Sequence, residues 1–174
     1  MWKRLKTTVL YKHPRLTLVE DDIQLPNGRV VQYLKFADGL DAVTIICIKN
    51  NKLLVQREYS YPPNKVLLQF PGGKTEAGET LESAAKRELI EECGLSAVSL
   101  SPLGYFYTNN RRSKDKMHVF LASEVVEVAK KGGDLEESVE FQWVALKEFK
   151  NMLATGKIDN FSMLASWALY TAKV

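Results

Sequence analysis

Gly72-Gly73-Lys74-Thr75-Glu76-Ala77-Gly78-Glu79-Thr80, running on into Leu81-Glu82-Ser83-Ala84-Ala85-Lys86-Arg87-Glu88-Leu89-Ile90-Glu91-Glu92-Cys93-Gly94-Leu95, is the stretch that organises this chain. Its first part is a Gly-rich turn. Thr80 to Cys93 reads as a helix, because Ala85, Leu89 and Cys93 recur every four residues, and Gly94 is placed as its C-cap. At about 100° per residue, Glu88 and Glu92 stack one turn apart with Glu91 beside them. Three carboxylates on one patch repel, and like charges at i,i+4 cost a few tenths of a kcal/mol. A solvated acidic face is the plain explanation of such a helix. A divalent cation resolves the repulsion more directly: Mg²⁺ is a hard ion that takes carboxylate oxygens, keeps waters and bridges to phosphates. Gly72-Gly73 would let the backbone come close to such a site.

Upstream, the chain reads as strands. Arg15 to Glu20 alternates, Leu25-Pro26-Asn27-Gly28 signals a turn, and Arg29 to Phe36, Ala42 to Ile48, Lys52 to Arg57 and Val66 to Phe70 are apolar runs. Asn50-Asn51 suggests a hairpin. Downstream, strands are expected at Ala97 to Tyr107, Met117 to Ala122 and Val139 to Val144. Two closing helices follow, around Leu146 to Ala154 and Phe161 to Ala172. There are no repeats or interdomain linkers, so the pattern predicts a single mixed α/β domain with helices packed on a mostly β body.

Composition narrows the function. The chain has 174 residues, 45% of them hydrophobic, and 24 Lys+Arg against 21 Asp+Glu. That length suits one domain with its own core. A net charge of +3 is too small for a nucleic-acid footprint. No apolar run reaches the ~20 residues a membrane helix needs, and the basic, polar start is no signal peptide, so a soluble cytoplasmic protein is expected. Two Cys, Cys47 and Cys93, lack zinc spacing and read as buried thiols. Two lone His, His13 and His118, give neither a zinc motif nor the context of a Ser-His-Asp triad. Carboxylates are left to do any chemistry.

Gly73, five residues, Glu79, seven residues, Arg87-Glu88-Leu89, one residue, Glu91-Glu92, one residue, Gly94-Leu95 resembles the complete signature of the Nudix hydrolases. With seven fixed residues at roughly 7% usage, a chance match at one start is on the order of 10⁻⁸. The flanks, Arg57-Glu58-Tyr59-Ser60-Tyr61-Pro62, Phe70-Pro71-Gly72-Gly73 and Gly156-Lys157-Ile158-Asp159-Asn160, resemble the ADP-ribose and nucleoside diphosphate sugar pyrophosphatase branch.

The resemblance implies an α/β/α sandwich around a mixed sheet with extra N-terminal antiparallel strands, residues 1–40 forming those strands and 41–174 the catalytic core. It implies hydrolysis of a small-molecule nucleoside diphosphate substrate with Mg²⁺ or Mn²⁺, and a homodimer built through the N-terminal strands. By motif position, Glu88, Glu91 and Glu92 are metal ligands together with the carbonyl of Gly72, and Glu79 and Arg87 form an orienting pair. A base for the attacking water belongs on a later loop, where Glu136 and Glu137 compete for the role with an ordinary acidic loop.

Two positions depart from the ADP-ribose enzymes: Ser60 stands where an Arg is common, and Tyr107-Thr108-Asn109-Asn110-Arg111-Arg112-Ser113 lacks the usual proline. Arg111 and Arg112 would replace the lost cation, since guanidinium forks suit phosphate oxygens, unless they are plain surface charges. Arg57 is a further candidate for substrate contact. Tyr107 is placed to stack on a base or sugar, or else belongs to a strand's apolar face. Trp2 resembles an N-terminal aromatic that packs on the nucleobase in related dimers, or it caps a sheet edge. A nucleoside diphosphate sugar is therefore the expected substrate, ADP-ribose the runner-up, and a catalytically silent nucleotide-binding module the alternative of another class.

Overall fold

Three strands open the chain: β1 (Lys3–His13), β2 (Leu16–Gln24) and β3 (Val30–Phe36), paired antiparallel in that order. The β2–β3 turn is the expected one, with Gly28 at φ 83° donating its N–H to the Leu25 carbonyl. β1 lies within the 1–40 stretch expected to form strands, but no pattern in the residues marks its own bounds: every one of its residues is exposed, so burial imposes no alternation of apolar and polar positions. These strands and Tyr107–Asp115 form one compact unit; Asp41–Phe106 and Lys116–Val174 form a second. The structure is a computed structural model that describes residues 1–37, 39–129 and 139–174.

In the first unit the 107–115 segment is tied to β3: Phe36 N–H donates to the Arg112 carbonyl (2.7 Å), and Tyr33 O–H donates to the Arg111 carbonyl (2.8 Å). Asp21, buried in β2, accepts from Thr7 Oγ1 at 2.5 Å and lies 3.7 Å from Lys35 Nζ.

The second unit is built on a mixed sheet. β4 (Ala42–Lys49) and β5 (Lys52–Ser60) meet in a two-residue hairpin at Asn50 (φ 50°) and Asn51 (φ 59°), the left-handed pair such a turn requires. β6 (Lys65–Gln69) pairs with β5, and β7 (Gly72–Lys74) with β4. Then come α1 (Leu81–Cys93), β8 (Leu95–Ala97), β9 (Ser101–Tyr107), β10 (Lys116–Ala122), β11 (Val125–Glu127) and β12 (Val139–Ala145), and the chain closes with α2 (Leu146–Ala154) and α3 (Phe161–Thr171). The sheet order is β12-β5-β4-β10-β9, with β4–β10 parallel; β8 and β11 make a separate ribbon. The run expected as one strand from Ala97 to Tyr107 is thus two. Among the described residues, no helix is long and apolar enough to cross a membrane.

Alternation along β4 sorts the core into two layers. Val43, Ile45 and Cys47 pack with Ala84, Ala85 and Leu89 of α1; Ile46 packs with Val119, Phe149, Met163 and Trp167 beneath α2 and α3. Helices on both faces of a mixed sheet give the expected α/β/α sandwich. Cys47 is fully buried and its thiol is pushed up to about 12 by burial, whereas Cys93 is only partly buried. Phe149 sits between Phe70 (centroids 5.9 Å apart) and Trp167 (4.8 Å) at 1% exposure. Phe149→Ala is expected to cost about 3–5 kcal/mol, read as a lower urea midpoint at unchanged m-value.

Candidate active site

α1 begins at Thr80, whose side chain accepts from Ser83 N–H, and ends at Gly94 (φ 63°), whose N–H returns to the Ile90 and Leu89 carbonyls. The caps set where the helix starts and stops, and burial of Ala84, Ala85 and Leu89 against β4 sets the direction of its carboxylates. β7 pairs with β4 through Thr44↔Gly72 and Val43↔Gly73, which brings the glycine pair against α1. Gly72 has φ 150°, and a Cβ there would lie 2.1 Å from the Val43 carbonyl oxygen. A Cβ on Gly73 would lie 2.4 Å from Glu88 Oε1. Only glycines leave room for this approach.

Arg87 is the centre of the charge network. Its Nε and Nη2 grip Glu79 Oε1 and Oε2 at 3.0 Å each, a bidentate fork. Nη1 donates to Glu88 Oε1 (2.9 Å) and Glu91 Oε2 (3.0 Å), and Nη2 also reaches the Lys74 carbonyl (2.9 Å). Glu92 turns the other way and accepts the Gly72 N–H at 2.9 Å. The Arg87 fork, helped by the Glu76 N–H, holds Glu79 below the ordinary glutamate range, and Glu79 in return raises Arg87. Glu88 is 8% exposed, and burial pushes its carboxyl up; the Arg87 charge opposes this, while Glu91 and Glu79 add to it.

A model of the NUDIX domain matches residues 39–166, most of the chain. The chain belongs to the Nudix family. Residues 2–33 of this Nudix protein match a nucleoside diphosphate sugar hydrolase N-terminal domain. It is 30% identical over 145 residues to an ADP-ribose pyrophosphatase of Bacillus subtilis (strain 168), covering 82% of this chain and 78% of that one. It is also 30% identical over 132 residues to the ADP compounds hydrolase NudE of Escherichia coli (strain K12), covering 74% and 70%. A crystal structure of an ADP compounds hydrolase matches with a TM-score of 0.90 over 98% of this chain and 92% of that one; at 23% identity it speaks for the fold alone. The protein is a Nudix hydrolase of the ADP-ribose and nucleoside diphosphate sugar pyrophosphatase type, a family that works with divalent metal ions.

The residues singled out in the Nudix sequence fall into three groups. Glu79, Arg87, Glu88 and Glu91 form one network, with Glu92 on Gly72 beside it. Arg57 is exposed on β5, opposite Glu140 of β12. Arg111, Arg112 and Tyr107 belong to the first unit, as does Trp2, which is 61% exposed and packs edge-on to Tyr33. Glu136 and Glu137 lie outside the described residues.

Among the described residues no group of three His, Cys, Asp or Glu side chains stands arranged to hold a metal; Arg87 engages both oxygens of Glu79 and one each of Glu88 and Glu91. The donor set nevertheless fits a hard cation: carboxylate oxygens on one helix face, one of them buried among like charges, beside a glycine that leaves Glu88 its space.

Sequence reasoning missed a second polar cluster, in which Glu58 Oε2 accepts from the side chains of Gln56 and Gln69, and Asn160 donates to Gln69 Oε1. Its members lie at the polar ends of β5 and β6 and at the N-cap of α3, and no spacing in the sequence links them.

Proposed function

We propose that this protein hydrolyses the diphosphate of a nucleoside diphosphate sugar, releasing a nucleoside monophosphate and a sugar phosphate, with Mg²⁺ or Mn²⁺ as cofactor. The observation that carries the reading is the α1 carboxylate face beside the Gly72-Gly73 backbone, with Arg87 holding its upstream members in fixed geometry. Glu88 and Glu92, with the Gly72 carbonyl and a contribution from Glu91, would hold the cation. When bound, it neutralises the diphosphate and makes a nearby water more acidic.

The protein's own groups then have separate tasks. The capped helix fixes the carboxylates so that little reorganisation accompanies the reaction. The Glu79–Arg87 fork orients Glu88. Glu136 or Glu137 accepts the proton of the attacking water. Arg57, Arg111, Arg112, Tyr107 and Trp2 are the candidates for contact with the phosphate chain, base or sugar. ADP-ribose is the second reading, favoured by the Bacillus subtilis relative. We place the protein in the cytoplasm as a homodimer joined through its N-terminal strands, whose outer strand β1 is exposed and, among the described residues, pairs only with β2.

The deciding experiment is phosphate release, in a phosphatase-coupled assay with Mg²⁺, from ADP-ribose, ADP-glucose, GDP-mannose, UDP-glucose, diadenosine polyphosphates and nucleoside triphosphates. A kcat/KM preference for one nucleotide sugar is expected. A preference for ADP-ribose would select the second reading, and a blank with both Mg²⁺ and Mn²⁺ would point to a silent binding module. In the same assay, Arg87→Lys is expected to lower kcat on the order of 10–100-fold with little change in KM, because a point charge cannot reproduce the fork on Glu79. A change confined to KM would move Arg87 from positioning to substrate binding.

A further inference from the structure

The hairpin that joins β4 to β5 carries two lysines face to face. Lys49 and Lys52 are directly opposite in the register, on the last rung before Asn50-Asn51. Both are exposed, and among the described residues neither ammonium has a hydrogen-bond acceptor or a carboxylate within ion-pair distance. Like charges directly opposite one another on two strands destabilise the pairing, and the turn supplies no counter-charge.

Strand alternation puts both lysines on the α1 face of the sheet. Cys47 and Leu54, two residues away along each strand, belong to the core layer under α1, and Trp143 of β12 is opposite Leu54. Trp143 is half-buried and common to two cavities. One, about 230 Å³, is shared with Lys49, Asn50 and Lys52. The other, about 350 Å³, is lined by Leu54, Phe141, Leu95 and Glu127 as well. Glu127 is exposed, and among the described residues no cation pairs with it. An aromatic ring thus stands between two unpaired cations on one side and an unpaired carboxylate on the other. The place is remote from the carboxylate face of the candidate active site: Thr44, opposite Gly72, is roughly 16 Å from Lys49 along β4 at the rise of a strand.

We propose that this surface binds a nucleoside monophosphate, with its phosphate on Lys49 and Lys52, its base against Trp143 and its exocyclic amine toward Glu127. A phosphate monoester carries about −1.5 to −2 near neutral pH, a compact charge that two adjacent ammoniums can share. Every base has a flat face that stacks on an aromatic side chain. An inorganic anion alone would leave the indole and Glu127 without a role. A nucleoside monophosphate is also a product of the reaction proposed above; that link rests on the proposed function, and the binding does not.

AMP is the probe, titrated calorimetrically into the full chain in EDTA, where the α1 carboxylates have no cation with which to recruit phosphate. The Lys49→Gln/Lys52→Gln double variant is expected to bind about tenfold or more weakly than the wild type. Lys147→Gln/Lys150→Gln removes the same charge from α2, outside both cavities, and is expected to bind as the wild type. Ribose 5-phosphate and inorganic phosphate, which lack the base, are expected to bind about tenfold or more weakly than AMP. Absence of AMP binding would overturn the proposal, as would equal affinities in the wild type and both double variants. Inorganic phosphate binding as tightly as AMP would reduce the site to a plain anion contact and overturn the nucleotide assignment. Turnover keeps the two readings apart. On any substrate that is cleaved, the Lys49/Lys52 variant is expected to keep the wild-type kcat/KM, and a fall would place the lysines in the active site instead. A blank across the substrate panel would remove the reaction and leave the calorimetric result standing.

Discussion

Glu92→Gln is expected to lower kcat by about 10³-fold while leaving the thermal transition nearly unchanged. The substitution keeps the shape of the side chain, and its amide oxygen can still accept the Gly72 N–H that Glu92 accepts at 2.9 Å. What disappears is one negative charge from the hard donor set. Charge stabilisation by a cation in a hydrolytic site is worth several kcal/mol, and about 4 kcal/mol corresponds to that loss of rate. Steady-state kinetics beside a melting curve makes the check. Activity at the wild-type level would remove Glu92 from the cation site, and a collapsed melting curve would assign it to the fold instead.

The two adjacent glycines are expected to fail in opposite ways. In Gly72→Ala the new methyl meets the Val43 carbonyl oxygen at 2.1 Å, a backbone atom that moves only with β4, and φ 150° is itself strained for alanine. A loss of about 3 kcal/mol or more is expected, which for a chain of this size is a fall in Tm of roughly 6–12 °C. In Gly73→Ala the methyl meets Glu88 Oε1 at 2.4 Å, the far end of a flexible side chain. Glu88 swings aside, the protein melts within a few degrees of wild type, and turnover falls on the order of 10²-fold because a reacting group is misplaced. Matched losses of stability and activity in the two variants would contradict this division.

Much of the second unit could be read from the chain, and the reason is local. α1 announces itself through four-residue spacing and its Gly94 C-cap, though Thr80, read as its first residue, is its N-cap; α2 has the predicted bounds, and α3 ends one residue earlier than expected. β4 and β5 are apolar runs closed by an Asn-Asn turn whose backbone demand is specific. What was not legible is equally physical. β1 is exposed throughout, so its bounds within the expected N-terminal strands leave no mark in the hydrophobic pattern, and β7, β8 and β11 at three residues are shorter than any period.

The same contrast runs through the site. The spacing of Glu88, Glu91 and Glu92 on one face follows from helix geometry, and the Glu79–Arg87 pair from resemblance. That one guanidinium also reaches Glu88, Glu91 and the Lys74 carbonyl depends on rotamers and on the path of β7, which no linear pattern encodes. The Tyr33 contact to the Arg111 carbonyl likewise went unread, because the two lie far apart in sequence and meet only through the return of the 107–115 segment to β3.

Arg87 acts as a resident counter-ion. It is covalently part of the chain, always charged, and already seated among three carboxylates when the helix forms. Folding of this helix therefore does not have to wait for a metal, as it does in small domains whose charged clusters assemble only around an ion. A cation bound on this face would therefore meet carboxylates already held in place by Arg87, a standing scaffold rather than one built around the ion.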